Sequence, residues 1–264
     1  MKKLLKPAKT ALRRMAPNFY QSARAAKDRK VLQAVQKRLG LSVAAGPFVG
    51  MQYIAEATGS SLPPKLLGSY EAELHPALEH ARQSRYDAVV DVGCAEGYYA
   101  VGLARMLPGT PVLAYDTDPH AQYLCRQLAA HNGVSGQVQV LGTCGPSELL
   151  ARTGQRLLVV CDCEGYERDL FGTDVAQAMA ASDLIIELHE PNRPGLTEYL
   201  LSVFKDTHVQ RLIPLGPRCP RNFPITRKLP FIYRRPALDE LRFKDEQDWL
   251  WLRPKAMAVG QYYQ

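Results

Sequence analysis

Residues 89–98 read VVDVGCAEGY, an apolar run that carries an acid, Asp91, and is followed by two glycines, Gly93 and Gly97, four positions apart. A glycine turn between a buried strand and a helix lets backbone approach a ligand closely, and the first helical turn offers unpaired N–H donors. Such turns are common, and this one alone selects no ligand. A second apolar run, PVLAYD, ends in Asp116, 25 positions after Asp91. There an α/β nucleotide site needs a carboxylate to accept hydrogen bonds from ribose hydroxyls. The plainer role for Asp116 is N-cap of the next helix. The glycine spacing is G-x-x-x-G, not the G-x-G-x-x-G of a dinucleotide site. A short, acidic first loop suits a cationic sulfonium amino acid better than a pyrophosphate.

Two later apolar runs also end in groups able to hold or move protons. LLVVCD ends in Asp162 with Glu164 two residues on, and LIIELHE carries Glu187 and His189. Strand carboxyl ends are where α/β sheets bind ligands, and a hydroxyl acceptor needs a base within hydrogen-bond reach. Each residue has a bland alternative: Asp162 holding a turn, Glu164 capping a helix, His189 as an ordinary polar strand end. Carboxylates beside a histidine also admit a metal-ligand reading, since hard divalent cations favour oxygen ligands and acidify a bound hydroxyl. The sequence does not decide this, and the site is read without a metal.

The elements that must position these residues follow from the pattern around them. From Tyr86 onward, AVVDVG, PVLAYD, QVQVLG, LLVVCD and LIIELHE read as strands, with helices expected over 97–107, 119–131, 165–171 and 196–206. Such alternation predicts a parallel sheet covered on both faces. HVQRLIPL and DWLWLRP read as sixth and seventh strands, separated by a Pro- and Arg-rich insertion near 217–244. Long Pro-rich loops at a sheet's active edge often form lids, and a solvated connector is the plainer reading. Residues 19–39 read as a helix ending at Gly40, and 70–84 as a helix leading into the sheet. A breaker cluster, SSLPP at 60–64, sets the expected boundary between a basic helical extension, 1–64, and the main domain, 65–264.

With these pieces in order, the chain resembles the class I S-adenosylmethionine-dependent methyltransferases, and within them the FkbM-like family. The resemblance spans about residues 66–252 and rests on VDVGCAEGYYAVG, AYDTDP, CDCEGYE and LIIELHE. The segment Asp162-Cys163-Glu164-Gly165-Tyr166-Glu167 resembles that family's D-V-E-G-x-E and is the most specific piece. Departures are Ala95 where the family often has Asn, and Asp116-Thr117 where it has Glu-Pro; Pro119 falls where a second proline is common. The resemblance implies an α/β, Rossmann-like fold: a seven-stranded, mostly parallel sheet with helices on both faces, preceded by the helical extension. It implies S-adenosyl-L-methionine as co-substrate, with Asp91, Gly93 and Gly97 around the methionine part, Asp116 at the ribose and Thr143-Cys144 at the adenine. Asp162 would lie beside the reactive methyl, facing an acceptor bracketed by Glu164, Glu187 and His189. Glu71 would also reach the cofactor.

Bulk properties bound the rest. A chain of 264 residues, 46% hydrophobic, is long enough for one sizeable core. No apolar run approaches a membrane span and the N-terminus lacks a signal's apolar centre, so a cytoplasmic protein is expected. Six cysteines without C-x-x-C spacing point to reduced thiols. Residues 1–30 hold ten lysines and arginines against one acid, a charge of +9, so the remainder carries −2 of the total +7. That basic stretch is a candidate for an anionic surface, with a solvated helix the plainer reading. No base-stacking basic groove is visible, so nucleic acid is not expected as a partner. The leading expectation is O-methylation of a hydroxyl on a small molecule or sugar-like acceptor. N-methylation of a peptide or nucleic acid is the first alternative, and a binding protein of the same fold without turnover the second.

Overall fold

The structure is a computed structural model that describes residues 17–58, 60–240 and 247–255. The basic residues 1–16 and, within the insertion, Arg242 and Lys244 lie outside the described residues. Along the chain the helices are α1 (Pro17–Leu39), α2 (Leu62–Leu67), α3 (His75–Arg82), α4 (Tyr98–Met106), α5 (Pro119–His131), α6 (Pro146–Leu150), α7 (Glu167–Leu170), α8 (Thr173–Ala178), α9 (Leu196–Phe204) and α10 (Phe231–Arg234). The strands are β1 (Ala88–Val92), β2 (Val112–Tyr115), β3 (Val138–Leu141), β4 (Leu157–Cys161), β5 (Asp183–Glu187), β6 (His208–Ile213) and β7 (Trp249–Pro254). No described helix is long and apolar enough to cross a membrane.

The seven strands form one sheet in the order β3-β2-β1-β4-β5-β7-β6. β1 to β5 are parallel, and β7 runs antiparallel to both β5 and β6. The near-continuous apolar strands are explained by helices on both faces. Val89, Val112, Leu158 and Ile185 point into a core shared with α4 and α5. Their neighbours Val90, Leu113, Val159 and Ile186 point the other way, into a core with α8 and α9. Period-two alternation therefore divides β1, β2, β4 and β5 between two cores rather than between core and water.

The first core does not break at residue 64. Val31 and Val35 of α1, then Val43, Phe48, Met51, Tyr53 and Leu66, pack in the same cluster as Val89 and Leu103. The region after Ile213 also packs, burying Leu229, Ala237 and Leu238, and Arg218 bridges Glu73 (2.5 Å) and Glu240 (2.7 Å). The helix expected over 70–84 divides into a short 3-10 turn, Ala72–Leu74, and α3, with Glu71 in a left-handed conformation before them. The one expected over 165–171 is shorter and is followed by α8, because Gly172 takes an extended conformation between them.

Candidate active site

The carboxyl ends of β1, β2, β3 and β4 open into one pocket of about 430 Å³. It lies where the strand order reverses between β1 and β4, the crevice in which doubly wound sheets bind ligands. Asp91, Gly93, Asp116, Thr143, Cys144, Asp162 and Glu164 line it, together with Lys65 and the rings of Tyr70, Tyr98 and Tyr99. Gly97, Glu71, Glu187 and His189 are not among the lining residues.

The loop after β1 is held from two sides. At Gly93 φ is 82°, and a Cβ there would lie 1.7 Å from the carbonyl oxygen of Asp162. Glycine is required, and the neighbour that requires it is the loop after β4. Gly97 caps α4 at φ 96°, where a Cβ would meet Cys125 Sγ at 2.7 Å, so this glycine serves the contact between α4 and α5. Ala95 adopts φ 48°, a costly conformation for a side-chain-bearing residue. Its N–H donates to Asp116 Oδ2 (2.8 Å), while the N–H of Asp118 donates to Asp116 Oδ1 (2.9 Å). The N-cap of α5 is Asp118, which accepts from the His120 N–H. Asp116 thus braces the glycine loop against β2.

Charge in the pocket is concentrated on carboxyl groups. Asp91 is buried, and one of its oxygens has no hydrogen-bond partner. Burial, with the charges of Asp162, Asp116 and Glu71, outweighs a backbone hydrogen bond from Ala100 and pushes its pKa up to about 8. Lys65, although it lines the pocket, pairs with Glu96, which also accepts from Tyr53 Oη (2.5 Å) and the N–H of Thr58 (3.1 Å). Burial alone would raise the Glu96 pKa, but Lys65, Tyr53 and Thr58 hold it below the ordinary carboxylate range. The buried pair ties α2 and the segment before it to the glycine loop. Glu71 accepts a short hydrogen bond from Tyr99, one layer behind the wall.

Behind Asp162 and Glu164 lies His189, 1% exposed. Its Nδ1 is 2.7 Å from Glu167 Oε1, and its Nε2 lies 3.4 Å from Asp162, 3.5 Å from Glu187 and 3.6 Å from Glu164. Burial lowers the histidine pKa, but the bond and charge of Glu167, with Asp162 and Glu164 behind it, leave it raised. Glu167 also accepts from the backbone N–H groups of Cys163 and Gly165 (both 3.3 Å) and so pins the turn after β4. In that turn Glu164 stands at φ 56°, with its side chain 80% exposed. The helix-capping alternative for Glu164 has no counterpart; Glu167 holds the turn instead. Neither the role of Glu167, which stands within CDCEGYE, nor the Lys65–Glu96 pair is legible in the sequence, because both depend on contacts between distant segments. All six cysteines are free.

No protein-family model matches the chain. Over 152 residues, 48% of this chain and 54% of the relative, it is 38% identical to a release factor glutamine methyltransferase of Deinococcus radiodurans. Over 62 residues, 24% of this chain and 20% of the relative, it is 40% identical to a ribosomal protein L11 methyltransferase of Nitrosococcus oceani. The chain therefore spans about half the length of the first of these curated relatives and a fifth of the second. Among solved structures, the human methyltransferase 10 domain containing protein superposes with a TM-score of 0.50 at 12% identity, covering 87% of this chain and 95% of that one. Strand order, the pocket at the β1–β4 reversal and this likeness agree that the chain has the Rossmann-like fold of the class I methyltransferases.

Proposed function

We propose that the protein is an S-adenosyl-L-methionine-dependent methyltransferase. The observation that carries this is the pocket itself: a glycine loop braced by Asp116, faced by Asp91 and Asp162, and walled by Tyr70, Tyr98 and Tyr99. Carboxylates and aromatic faces favour a cationic ligand, and a sulfonium amino acid joined to a nucleoside carries that charge beside ribose hydroxyls. In this reading Gly93 and Asp91 border the methionine part, Asp116 the ribose, Thr143 and Cys144 the adenine, and Asp162 the methyl. Gly97 acts only through the start of α4.

Transfer from a sulfonium is an in-line displacement with an activated donor, so the protein positions two reactants and excludes water. The acceptor we favour is a hydroxyl, as the FkbM-like resemblance implies, because Glu164 at the pocket wall, with His189 and Glu187 behind it, supplies candidate bases beside Asp162. A nitrogen on a protein is the second reading, favoured by the names of the two curated relatives. Direct calorimetry with S-adenosylhomocysteine tests the cofactor, with micromolar-range affinity expected; no heat at millimolar ligand would refute it. Transfer of a labelled methyl group into the protein or the low-molecular-weight fraction of a cell extract then separates the two acceptors.

A further inference from the structure

We propose that Asp162, Glu164 and His189 form a site for one divalent transition-metal cation at the inner edge of the pocket, with Glu187 in reach as a further ligand.

The donor atoms stand in the arrangement a cation would need. One oxygen of Asp162, one of Glu164 and a ring nitrogen of His189 lie within 4.8 Å of one another. From His189 Nε2 the distances are 3.4 Å to Asp162, 3.5 Å to Glu187 and 3.6 Å to Glu164. Metal–ligand bonds of about 2.0–2.2 Å at tetrahedral angles place neighbouring donor atoms about 3.3–3.6 Å apart. The separations are too long for direct hydrogen bonds and right for a shared ion between them.

A second observation is independent of the acidic cluster. His189 is almost wholly buried, and its Nε2 has no hydrogen-bond partner although it points at three carboxylates. Asp162 Oδ1, facing it, is also without one. Leaving such buried groups unsatisfied is costly. The other ring nitrogen is already committed: Nδ1–H donates to Glu167 at 2.7 Å, and Glu167 is itself anchored by backbone N–H groups. A carboxylate behind a histidine fixes its tautomer and aims the free lone pair of Nε2 at a metal, the outer-shell arrangement of ligating histidines.

Ligand chemistry selects the ion. Calcium and magnesium take oxygen ligands, whereas an imidazole among carboxylates suits manganese, iron or zinc. Asp162 and Glu164 line the pocket, so a coordination position faces the space where an acceptor would enter. The role there, which rests on the methyltransferase reading, is to hold an acceptor oxygen and lower the pKa of its hydroxyl.

Binding of the ion is tested without any methyl donor. The full chain, freed of metal with a chelator, is titrated with Mn²⁺ followed by electron paramagnetic resonance, and with Zn²⁺ and Ca²⁺ by calorimetry. One Mn²⁺ or Zn²⁺ per chain is expected, with Ca²⁺ at least tenfold weaker. Glu164→Gln, whose side chain is exposed, should keep the melting temperature and weaken Mn²⁺ at least tenfold. Glu167→Gln should weaken it by about ten- to a hundredfold. No saturable binding at millimolar Mn²⁺ and Zn²⁺, affinity unchanged in a folded Glu164→Gln protein, or Ca²⁺ bound as tightly as Mn²⁺ would each overturn the site. Failure of S-adenosylhomocysteine to bind would overturn the methyltransferase reading and leave these titrations standing.

Discussion

The carbonyl oxygen of Asp162 lies 1.7 Å from where a Cβ on Gly93 would be, so the turns that follow β1 and β4 touch backbone to backbone across the floor of the pocket. Gly93→Ala must push those turns apart in addition to straining a positive φ. The expected result is a loss on the order of 3 kcal/mol or more in stability and at least a tenfold loss of S-adenosylhomocysteine affinity, read by denaturant melts and calorimetry. A variant with parental stability and affinity would show that the two turns are free to separate.

Asp116 braces the glycine loop through Ala95 and lines the pocket, where the proposed reading puts the ribose. S-adenosylhomocysteine at about 100 times its Kd should raise the Tm of the parent protein by about 5–10 °C. Asp116→Ala should lose most of that shift; an equal shift in both proteins would remove Asp116 from the cofactor site.

Asp91, with its pKa raised to about 8, is largely protonated at neutral pH when the pocket is empty. An ammonium or sulfonium group beside it favours the ionised form, so cofactor binding should release close to one proton at pH 7. The release should fade, and affinity level off, as pH rises past about 8. Calorimetry in buffers of different ionisation enthalpy measures this, and Asp91→Asn should abolish the release. Proton release that survives the substitution would assign it elsewhere.

In the proposed reading Glu164 and His189 serve the acceptor rather than the ribose or adenine. Glu164→Gln and His189→Asn should cut methyl transfer by roughly a hundredfold or more while leaving S-adenosylhomocysteine affinity within a few fold. Asp162→Asn, which touches both sides, should lower the two together. If the Asp162 change is silent and the other two weaken cofactor binding, the roles are reversed.

At the amino end of β5, Asp183 is buried and accepts from Tyr86 Oη (2.7 Å), with Arg156 and His80 beside it. Burial alone would raise its pKa, but these partners hold it below the ordinary value. A carboxyl depressed in the folded state contributes stability above its unfolded pKa of about 3.9, lost as pH falls through the lower folded value. Asp183→Asn should therefore destabilise on the order of 3 kcal/mol at pH 7, with the gap to the parent narrowing below about pH 4. A gap independent of pH across that window would mean the charge is not what stabilises.

The central sheet was legible because both its faces are covered: Val89 and Val90 serve different cores, so β1, β2, β4 and β5 read as near-continuous apolar runs with an acid or glycine at or just past their carboxyl ends. The same logic placed Asp91, Asp116 and Asp162 around one pocket. What was illegible depends on pairs far apart in the chain. Lys65 meets Glu96 across 31 positions, and Glu167 meets His189 across 22 with β5 between them, and no periodicity encodes either. SSLPP at 60–64 reads as a domain break, yet Leu62, Pro63 and Pro64 are buried: prolines start α2, which Gly68 ends, and its side chains join the core. Glycine served twice for reasons no motif states, at Gly93 for the neighbouring turn and at Gly97 for Cys125.

The position of β7 sets an order on synthesis. Among the described residues it is the last strand made, yet it lies between β5 and β6 and supplies β6 with its partner in the sheet. While residues 249–254 remain inside the ribosome, β5 presents an open edge and β6 has no ladder to join, although the pocket at β1 to β4 can already close. The pocket-bearing half of the sheet can thus mature ahead of the half that completes it, and a chain broken before Trp249 loses two strands rather than one.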